Sequence, residues 1–171
     1  MKYVSGIAAA TGRPTAAVRA ERDAMVPLRR KMGTGHDTAC AALGTRLFTI
    51  TTQDEAAGVT RRAYSSNPVD YPVSGTKPLT RDGWYDFCIT GQQVFVANTT
   101  PEFAQYFFDH ALITSLGLGS CINIPVVAAG TVLGTVNLLA EEHHFTADRL
   151  AAYEALVTEN HAALVAQMRQ G

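Results

Sequence analysis

Two apolar, β-branched runs on either side of a short turn constrain the fold of this chain more than any other feature. The first run covers residues 120–127 and the second covers residues 132–139, with Ala129-Gly130 between them. Runs of this length around a glycine-containing turn predict an antiparallel β-hairpin. Nearly every position in both runs is apolar, so we expect other elements to cover both faces of the hairpin, as in the centre of a sheet.

A helix is predicted to follow this hairpin. Thr146 occupies an N-cap position and Asp148 falls in the first turn, where an acidic side chain favours the helix dipole. Over residues 147–169 the apolar side chains recur at helical spacing and form one stripe. The stripe consists of Leu150, Tyr153, Val157, Leu164 and Met168. We expect it to pack on the sheet or on the same helix of a second subunit.

The order of these parts resembles the GAF domain, a relative of the PAS fold that binds small molecules. The resemblance rests on IPVVAAGTVLGTVNLL and on the following HFTADRL, and it covers residues 37–168. It implies an α+β fold with a central antiparallel sheet of five or six strands. Helices are then expected on one face of the sheet, and a pocket roofed by loops and short helices on the other. We expect the domain to occupy residues 34–171, after an N-terminal helical extension over residues 1–33.

The chain upstream of the hairpin supplies the remaining predicted elements. Residues 66–78 contain three prolines, which supply no backbone donor, so this segment is interpreted as an irregular loop and a plausible lid. The Thr80 side chain is a candidate N-cap for the helix that follows. Predicted helices cover residues 37–43, 80–89 and 102–116, and predicted strands cover residues 46–53, 59–65 and 93–97.

Two asparagines interrupt the apolar runs of the hairpin. If Ala129-Gly130 forms a two-residue turn, Asn123 lies beside Val136, and Asn137 lies on the opposite face with Ile122. An unpaired buried amide costs about 1–3 kcal/mol, so both side chains need partners. Asn123 either hydrogen-bonds to loop backbone or faces a ligand pocket, and we consider it the better pocket candidate of the two.

A smaller group of free-standing GAF proteins is similar in two further segments, RRxYSSxPxxYPxxGxKP and FFDHxLIxSLGxGS. Ser115 also belongs to the residues that this resemblance highlights. Together with physical reasoning, the resemblance gives these candidate ligand-binding residues: Arg61, Tyr64, Ser65, Tyr71, Lys77, Trp84, Phe107, His110, Ser120, Cys121 and Asn123. Aromatic side chains can form apolar walls while a few polar groups orient a ligand. Arg61 and Arg62 alternate across their strand, so only one of them is expected to face the cavity, where it and Lys77 would suit an anionic group.

Enzymatic chemistry is the main alternative to ligand binding. His110 is the candidate general acid or base, because histidine is the residue type most often used for proton transfer, whereas Cys121 is interpreted as an inert buried thiol. The cysteine positions do not match those of the free methionine-(R)-sulfoxide reductases, an enzymatic GAF family. Residues 141–144 (EEHH) lack further ligands at zinc spacing, so we interpret them as a solvated loop and predict neither a metal site nor a cofactor.

Composition limits the partners that the chain is expected to have. The formal net charge is −1 and charged residues make up 17%, which predicts no bulk attraction to nucleic acid or to a membrane surface. Basic residues are in excess over residues 1–33, where a short segment faintly resembles part of a helix-turn-helix; we favour a packing or dimerisation helix. Apolar runs are too short to span a bilayer and no signal sequence is evident, so a cytoplasmic location is expected. Three widely spaced cysteines without a C-x-x-C pair predict no disulfide.

The sequence therefore leads to one main hypothesis and two alternatives. The main hypothesis is a homodimeric GAF protein, paired through its N- and C-terminal helices. It binds a small metabolite with an anionic or polar end, under residues 66–78 and 99–117, in a sensory or regulatory role. The first alternative is an enzyme that uses His110 in the same pocket. The second is a dimerisation scaffold, in which Trp84, Phe107 and Phe108 would fill the pocket completely.

Overall fold

The computed structural model describes residues 35–73 and 75–170. The predicted N-terminal extension over residues 1–33 lies outside these residues. A six-stranded antiparallel sheet forms the centre, in the order β3-β2-β1-β6-β5-β4. The strands are β1 (Leu47–Asp54), β2 (Val59–Ser65), β3 (Thr76–Pro78), β4 (Phe95–Ala97), β5 (Ser120–Ala128) and β6 (Thr131–Ala140). The predicted hairpin is β5–β6, and it lies in the interior of the sheet as expected.

The helices lie between and after the strands. They are α1 (Gly35–Ala42), α2 (Gly83–Tyr85, continued by a π-helical turn over Asp86–Thr90), α3 (Thr100–Ala104), α4 (His110–Ser115), α5 (Ala147–Glu159) and α6 (His161–Gln170). The prediction of one continuous terminal helix was wrong, because the helix ends at Asn160, whose side-chain amide donates to the Leu156 carbonyl. The predicted cap at Thr80 was also wrong. Asp82 caps α2 instead, and its carboxylate accepts a hydrogen bond from the Tyr85 amide.

The proline-rich segment was predicted to be irregular, and its last part is not. Residues Thr76–Pro78 pair with β2 and form the outermost strand on that side of the sheet. A proline is tolerated there because an edge strand can turn one side of its backbone away from any partner strand. This short strand brings Lys77 to the rim of the sheet.

Helices α1, α5 and α6 cover one face of the sheet. Their apolar side chains meet Phe48, Ile50, Val136 and Leu138, which alternate along β1 and β6. The predicted stripe of the terminal helices is buried in this same core. It packs on the sheet of its own chain, which is one of the two arrangements expected from the sequence.

The opposite face carries a second apolar cluster under α2, α3 and α4. Leu47, Cys121 and Leu139 contribute to it from the sheet, and Phe103 and Ile113 contribute from the helices above. This layer does not cover the sheet completely. The predicted α+β architecture, with helices on one face and a roof of short helices and loops on the other, is confirmed.

Two β-bulges decide which side chains face this roof. In β6 the pairing changes between Val126 opposite Gly134 and Val127 opposite Val132, so Leu133 is an extra residue. The predicted register holds next to the turn and fails beyond the bulge. Asn123 therefore lies opposite Asn137, and both project from the roofed face. The prediction that they lie on opposite faces was wrong, because one extra residue reverses the alternation of a strand.

The second bulge lies in β2. Tyr64 is opposite Ile50, but Arg62 is opposite Thr51, so Ala63 is the extra residue. Tyr64 packs on the helix-covered core, where its ring contacts Phe48 edge-on at a centroid distance of 5.8 Å. In a regular strand Arg62 would share that face. The bulge moves it to the roofed face instead.

The interpretation of residues 141–144 as a solvated loop was wrong for one residue. Glu141, Glu142 and His143 are exposed, but His144 is buried against α5. Its Nε2 lies 2.9 Å from the hydroxyl of Tyr153, and burial lowers the pKa of the imidazole. The Tyr153 hydroxyl also donates to the Leu43 carbonyl and accepts from Thr45, which links α5 to the end of α1.

Candidate functional site

A cavity of about 540 Å³ lies between the roofed face of the sheet and the short helices above it. Strands β1, β5 and β6 form its floor. Tyr71 and residues 75–84 border it on one side, and residues 106–109 together with Ile113 form its roof. A space of this size is typical of sites that bind small organic molecules. It contradicts the scaffold alternative, which required Trp84, Phe107 and Phe108 to fill this region.

The floor of the cavity carries a hydrogen-bonded pair of buried amides. The Trp84 indole N–H donates to Asn123 Oδ1 at 2.8 Å, and Asn123 Nδ2 donates to Asn137 Oδ1, also at 2.8 Å. Asn123 Nδ2 is also within 3.2 Å of the Ile122 carbonyl. The partner of Asn123 is thus another side chain rather than loop backbone, and the pair lines the cavity as well.

Threonines of β1 and β6 complete this network. Asn137 Oδ1 also accepts from the Thr135 hydroxyl at 2.8 Å, and that hydroxyl lies 2.8 Å from the hydroxyl of Thr51. Asn137 Nδ2 donates to Thr49 at 3.2 Å. The amides are satisfied within the protein, which fixes their orientation. A ligand therefore meets a rigid polar floor.

Aromatic and aliphatic side chains form the walls. Trp84 stands at one side, and Phe107 and Tyr106 descend from the roof, where both rings pack against Phe95 at centroid distances of 6.0 and 5.8 Å. Ile113 of α4 adds an aliphatic surface. These contacts hold the roof on the sheet, so the walls are formed by packed side chains.

Charged side chains gather at one end of the cavity. Lys77 Nζ lies 3.4 Å from Asp109 Oδ2 and 4.4 Å from the centre of the Phe108 ring, which is otherwise 77% exposed. Arg62 stacks on the Tyr71 ring at 4.8 Å and donates to the Pro72 carbonyl at 3.0 Å. Burial lowers the pKa of Arg62 and raises that of Tyr71, and the Asp109 carboxylate raises both. Asp109 thus acts electrostatically on Lys77, Arg62 and Tyr71.

Two buried polar atoms at this end lack a hydrogen-bond partner among the described residues. They are Nε of Arg62 and the hydroxyl of Tyr71. Both side chains line the cavity. A buried donor without a partner is unfavourable by about 1–3 kcal/mol, and such atoms in a folded protein call for an explanation.

Five of the predicted ligand-binding residues line the cavity: Tyr71, Lys77, Trp84, Phe107 and Asn123. The others do not line it. Of the arginine pair, Arg61 is exposed and Arg62 faces the cavity, which agrees with the expectation that only one would do so. Tyr64 packs on the helix-covered side, and the Ser65 hydroxyl accepts from the Asn67 amide.

Two further candidates, Ser120 and Ser115, lie at the start of β5 and at the end of α4. The Ser120 hydroxyl donates to the Glu141 carbonyl, and the Ser115 hydroxyl donates to the Leu112 carbonyl within α4. Both are therefore engaged in local backbone contacts. Their positions give no support for direct ligand contact.

The candidate catalytic residue, His110, and the cysteine candidate, Cys121, lie away from the cavity lining. His110 begins α4, where its carbonyl accepts from Thr114 and its ring is absent from the lining. Cys121 is fully buried in the apolar cluster, and burial raises the pKa of its thiol. Burial likewise raises the pKa of Cys88 to about 12. All three cysteines (the third is Cys40) are free and buried.

Sequence reasoning missed Arg62, Asp109, Asn137 and Thr135 as cavity residues. Asp109 belongs to the FFDH segment, whose roof position could have suggested it. The other three depend on the two bulges, since the face of Arg62 and of Asn137 follows from an extra residue in the strand.

The described part of the chain contains no cluster of three or more His, Cys, Asp or Glu side chains suited to a metal ion. Over the same residues, no helix combines the length and apolar character needed to cross a bilayer.

Comparisons with known proteins agree with this architecture. The protein-family model for the GAF domain matches residues 22–159 of this chain. No curated protein matches the chain. The GAF domain of an Acinetobacter phosphoenolpyruvate-protein phosphotransferase is similar, with a TM-score of 0.65, 12% identity, and coverage of 89% of this chain and 95% of that one. The GAF domain of a two-component sensor histidine kinase from Bacillus halodurans has a TM-score of 0.61 at 11% identity, with coverage of 86% of this chain and 93% of that one.

A chromophore-binding domain is also similar. It comes from the bacteriophytochrome of Stigmatella aurantiaca and gives a TM-score of 0.64 at 13% identity, covering 91% of this chain and 62% of that one. Identities this low show a shared fold. With the family model matching most of its length, this chain belongs to the GAF domain family.

Proposed function

We propose that this protein binds a small organic molecule with an anionic or polar end in the roofed cavity, and that binding has a sensory or regulatory role. The observation that carries the proposal is the cavity itself. It has aromatic walls, an oriented amide floor and a charged end formed around Arg62 and Lys77. A few fixed polar groups within an apolar space are what orient a small ligand.

The fold offers a route from this cavity to the helices on the far side of the sheet. Along β6, Thr135 and Asn137 line the cavity, whereas Val136 and Leu138 pack under the helices of the other face. A ligand that shifts β6 would therefore change the packing beneath α5 and α6. The similarity to domains of a sensor histidine kinase and a bacteriophytochrome supports a sensory role.

A homodimer and a cytoplasmic location belong to the same proposal. The apolar stripe of α5 and α6 is used within its own chain, so a dimer formed through the terminal helices would use their outer faces. Light scattering during size-exclusion chromatography measures the oligomeric state, and a strictly monomeric mass would contradict the dimer. Cell fractionation measures the location.

The cavity can be tested by filling it from the roof. Ile113 lines it, whereas the neighbouring Leu112 is 37% exposed and does not. We expect Ile113→Trp to abolish the binding of compounds found by native mass spectrometry of the purified protein or by calorimetric screening of small acids, amides and alcohols. Leu112→Trp is the matched control and should bind as the unaltered protein does. Binding that survives in Ile113→Trp, or the failure of every compound to bind the unaltered protein, would contradict the proposal.

The enzyme alternative has no observation in its favour, because His110 is not part of the cavity lining. We expect His110→Ala to leave ligand affinity unchanged within about twofold, since a residue outside the site makes no contact to lose. Titration calorimetry of the bound compound measures this. Multiple turnovers of that compound, lost in His110→Ala with binding retained, would restore the enzymatic hypothesis.

A further inference from the structure

The four ionised side chains that line the cavity have formal charges that cancel. They are the cations of Arg62 and Lys77 and the carboxylates of Asp82 and Asp109. Lys77 is paired with Asp109 at 3.4 Å, and Asp82 accepts a hydrogen bond at the start of α2. Among the described residues, Arg62 is then the one cation of the four with no carboxylate at ion-pair distance. A single cation suits a dianionic phosphate poorly, because recognition of phosphate needs surplus cations or converging backbone donors.

The same end nevertheless holds two donors that have no acceptor at hydrogen-bond distance among the described residues, although the Asp109 carboxylate is near enough to raise the pKa of Tyr71. Arg62 Nε and the Tyr71 hydroxyl are buried without a partner, and the two side chains stack at 4.8 Å. Burial, and then the nearby Asp109 carboxylate, raise the pKa of the Tyr71 phenol, so it remains a donor. A ligand oxygen anion would supply the acceptor that both groups lack.

The rest of the lining favours a flat apolar body. Trp84, Phe107 and Leu47 border the space above the amide floor. The floor amides are already hydrogen-bonded to each other and to threonines, so they leave few donors for a sugar or another polyhydroxylated group. Aromatic rings are well suited to stacking against such walls.

We propose that the cavity selects an aromatic monocarboxylate, whose carboxylate binds at Arg62 and Tyr71 and whose ring system packs between Trp84 and Phe107. This inference rests on the proposed function, since it names the class of ligand for the same cavity. A carboxylate supplies one negative charge, which matches one arginine whose Nε–H is still available. A phosphate ester would bring a second charge next to Asp109.

Trp84 provides a direct measurement, because it is the only tryptophan in the chain and lines the cavity. The probes are biphenyl-4-carboxylate, biphenyl-4-carboxamide and biphenyl-4-ylphosphonate, which share one body and carry one, no and two negative charges at pH 8.5. We expect the carboxylate to bind about tenfold more tightly than either analogue, as measured by Trp84 fluorescence and by calorimetry.

Two neighbouring arginines supply the matched variants. Arg62→Met should weaken carboxylate binding about tenfold and leave carboxamide binding within about twofold, because only the charged oxygen loses its partner. Arg61→Met, on the other side of the strand, should change neither. Tyr71→Phe keeps the ring and removes the hydroxyl, so it tests the same site if Arg62→Met does not fold, and it should weaken the carboxylate selectively.

Several outcomes would overturn the inference. They are tighter binding of the phosphonate, equal binding of carboxylate and carboxamide, equal losses in the Arg61 and Arg62 variants, or no binding by any probe. If another class of compound then binds the unaltered protein and is excluded by Ile113→Trp, the ligand class fails and the proposed function stands. If no compound binds at all, both fail.

Discussion

Replacing Asn137 with alanine tests whether the amide network is a structural unit of the cavity floor. The substitution removes the acceptor of two hydrogen bonds, one from Asn123 Nδ2 and one from Thr135, each at 2.8 Å. Asn123 Nδ2 keeps the Ile122 carbonyl at 3.2 Å, and the Thr135 hydroxyl can turn towards Thr51. The loss is therefore smaller than that of two abandoned donors, and we expect about 2–4 kcal/mol including the vacated volume.

A double-mutant cycle separates this coupling from the general cost of truncation. Asn123→Ala abandons the indole N–H of Trp84 and the Asn137 carbonyl oxygen, so it should also cost about 2–3 kcal/mol. In the double variant both amides are gone, so neither one is left without the other as its hydrogen-bond partner. Its loss should therefore fall short of the sum of the two single losses by about 1–2 kcal/mol.

Urea denaturation followed by circular dichroism measures each free energy of unfolding. Thr131→Ala, at the exposed start of β6, is the control and should change stability by less than about 0.5 kcal/mol. Strict additivity of the Asn123 and Asn137 losses would refute the reasoning, since it would mean that the two amides do not stabilise each other.

Three further predictions concern stability. A Cβ at Gly134 would overlap the backbone carbonyl of Thr51, so Gly134→Ala should cost about 3 kcal/mol or more in urea denaturation, whereas Gly75→Ala, with open space around it, should be neutral. Because burial raises the pKa of Cys88 from 9.0 to about 12, only the unfolded thiol ionises between these values. The free energy of unfolding should therefore fall as pH rises from 9 to 12, and Cys88→Ala should flatten this fall; an unchanged slope would contradict the assignment. Tyr153→Phe removes three buried hydrogen bonds and should cost about 2–4 kcal/mol by the same assay. Tyr71→Phe should cost less than about 1 kcal/mol, because its hydroxyl has no hydrogen-bond partner in the part of the chain that the structure describes. Equal losses for the two tyrosines would count against this account.

The sequence predicted where the helices and strands lie better than it predicted which of their side chains face the cavity. Hydrophobic runs, turn residues and a cap position were enough to place β5, β6 and the start of α5, because these signals are local. The break at Asn160 was not predictable from the apolar stripe, since Leu164 and Met168 continue on the same side after it. Helix propensity alone did not predict the break at Asn160.

The candidate site was partly predictable for the same reason. Aromatic residues such as Trp84 and Phe107 stand in segments that form the roof or border the cavity, so they line it whatever the strand pairing. The choice between Arg61 and Arg62 depends on a bulge, which no residue pattern in β2 announces. His144 was misjudged because its burial is created by Tyr153, a residue brought to it by the fold.

The extra residues Ala63 and Leu133 set which faces the adjoining parts of β2 and β6 present. Removing either one would leave a regular ladder in which the remaining residues keep their present pairs, so the cavity-facing groups would stay in place. Inserting one residue into a regular part of either strand has the opposite effect when no new bulge forms, because the stretch beyond the insertion turns to the other face. Redesign of the ligand preference could therefore begin with single-residue insertions, with deletion of Ala63 or Leu133 as the conservative control.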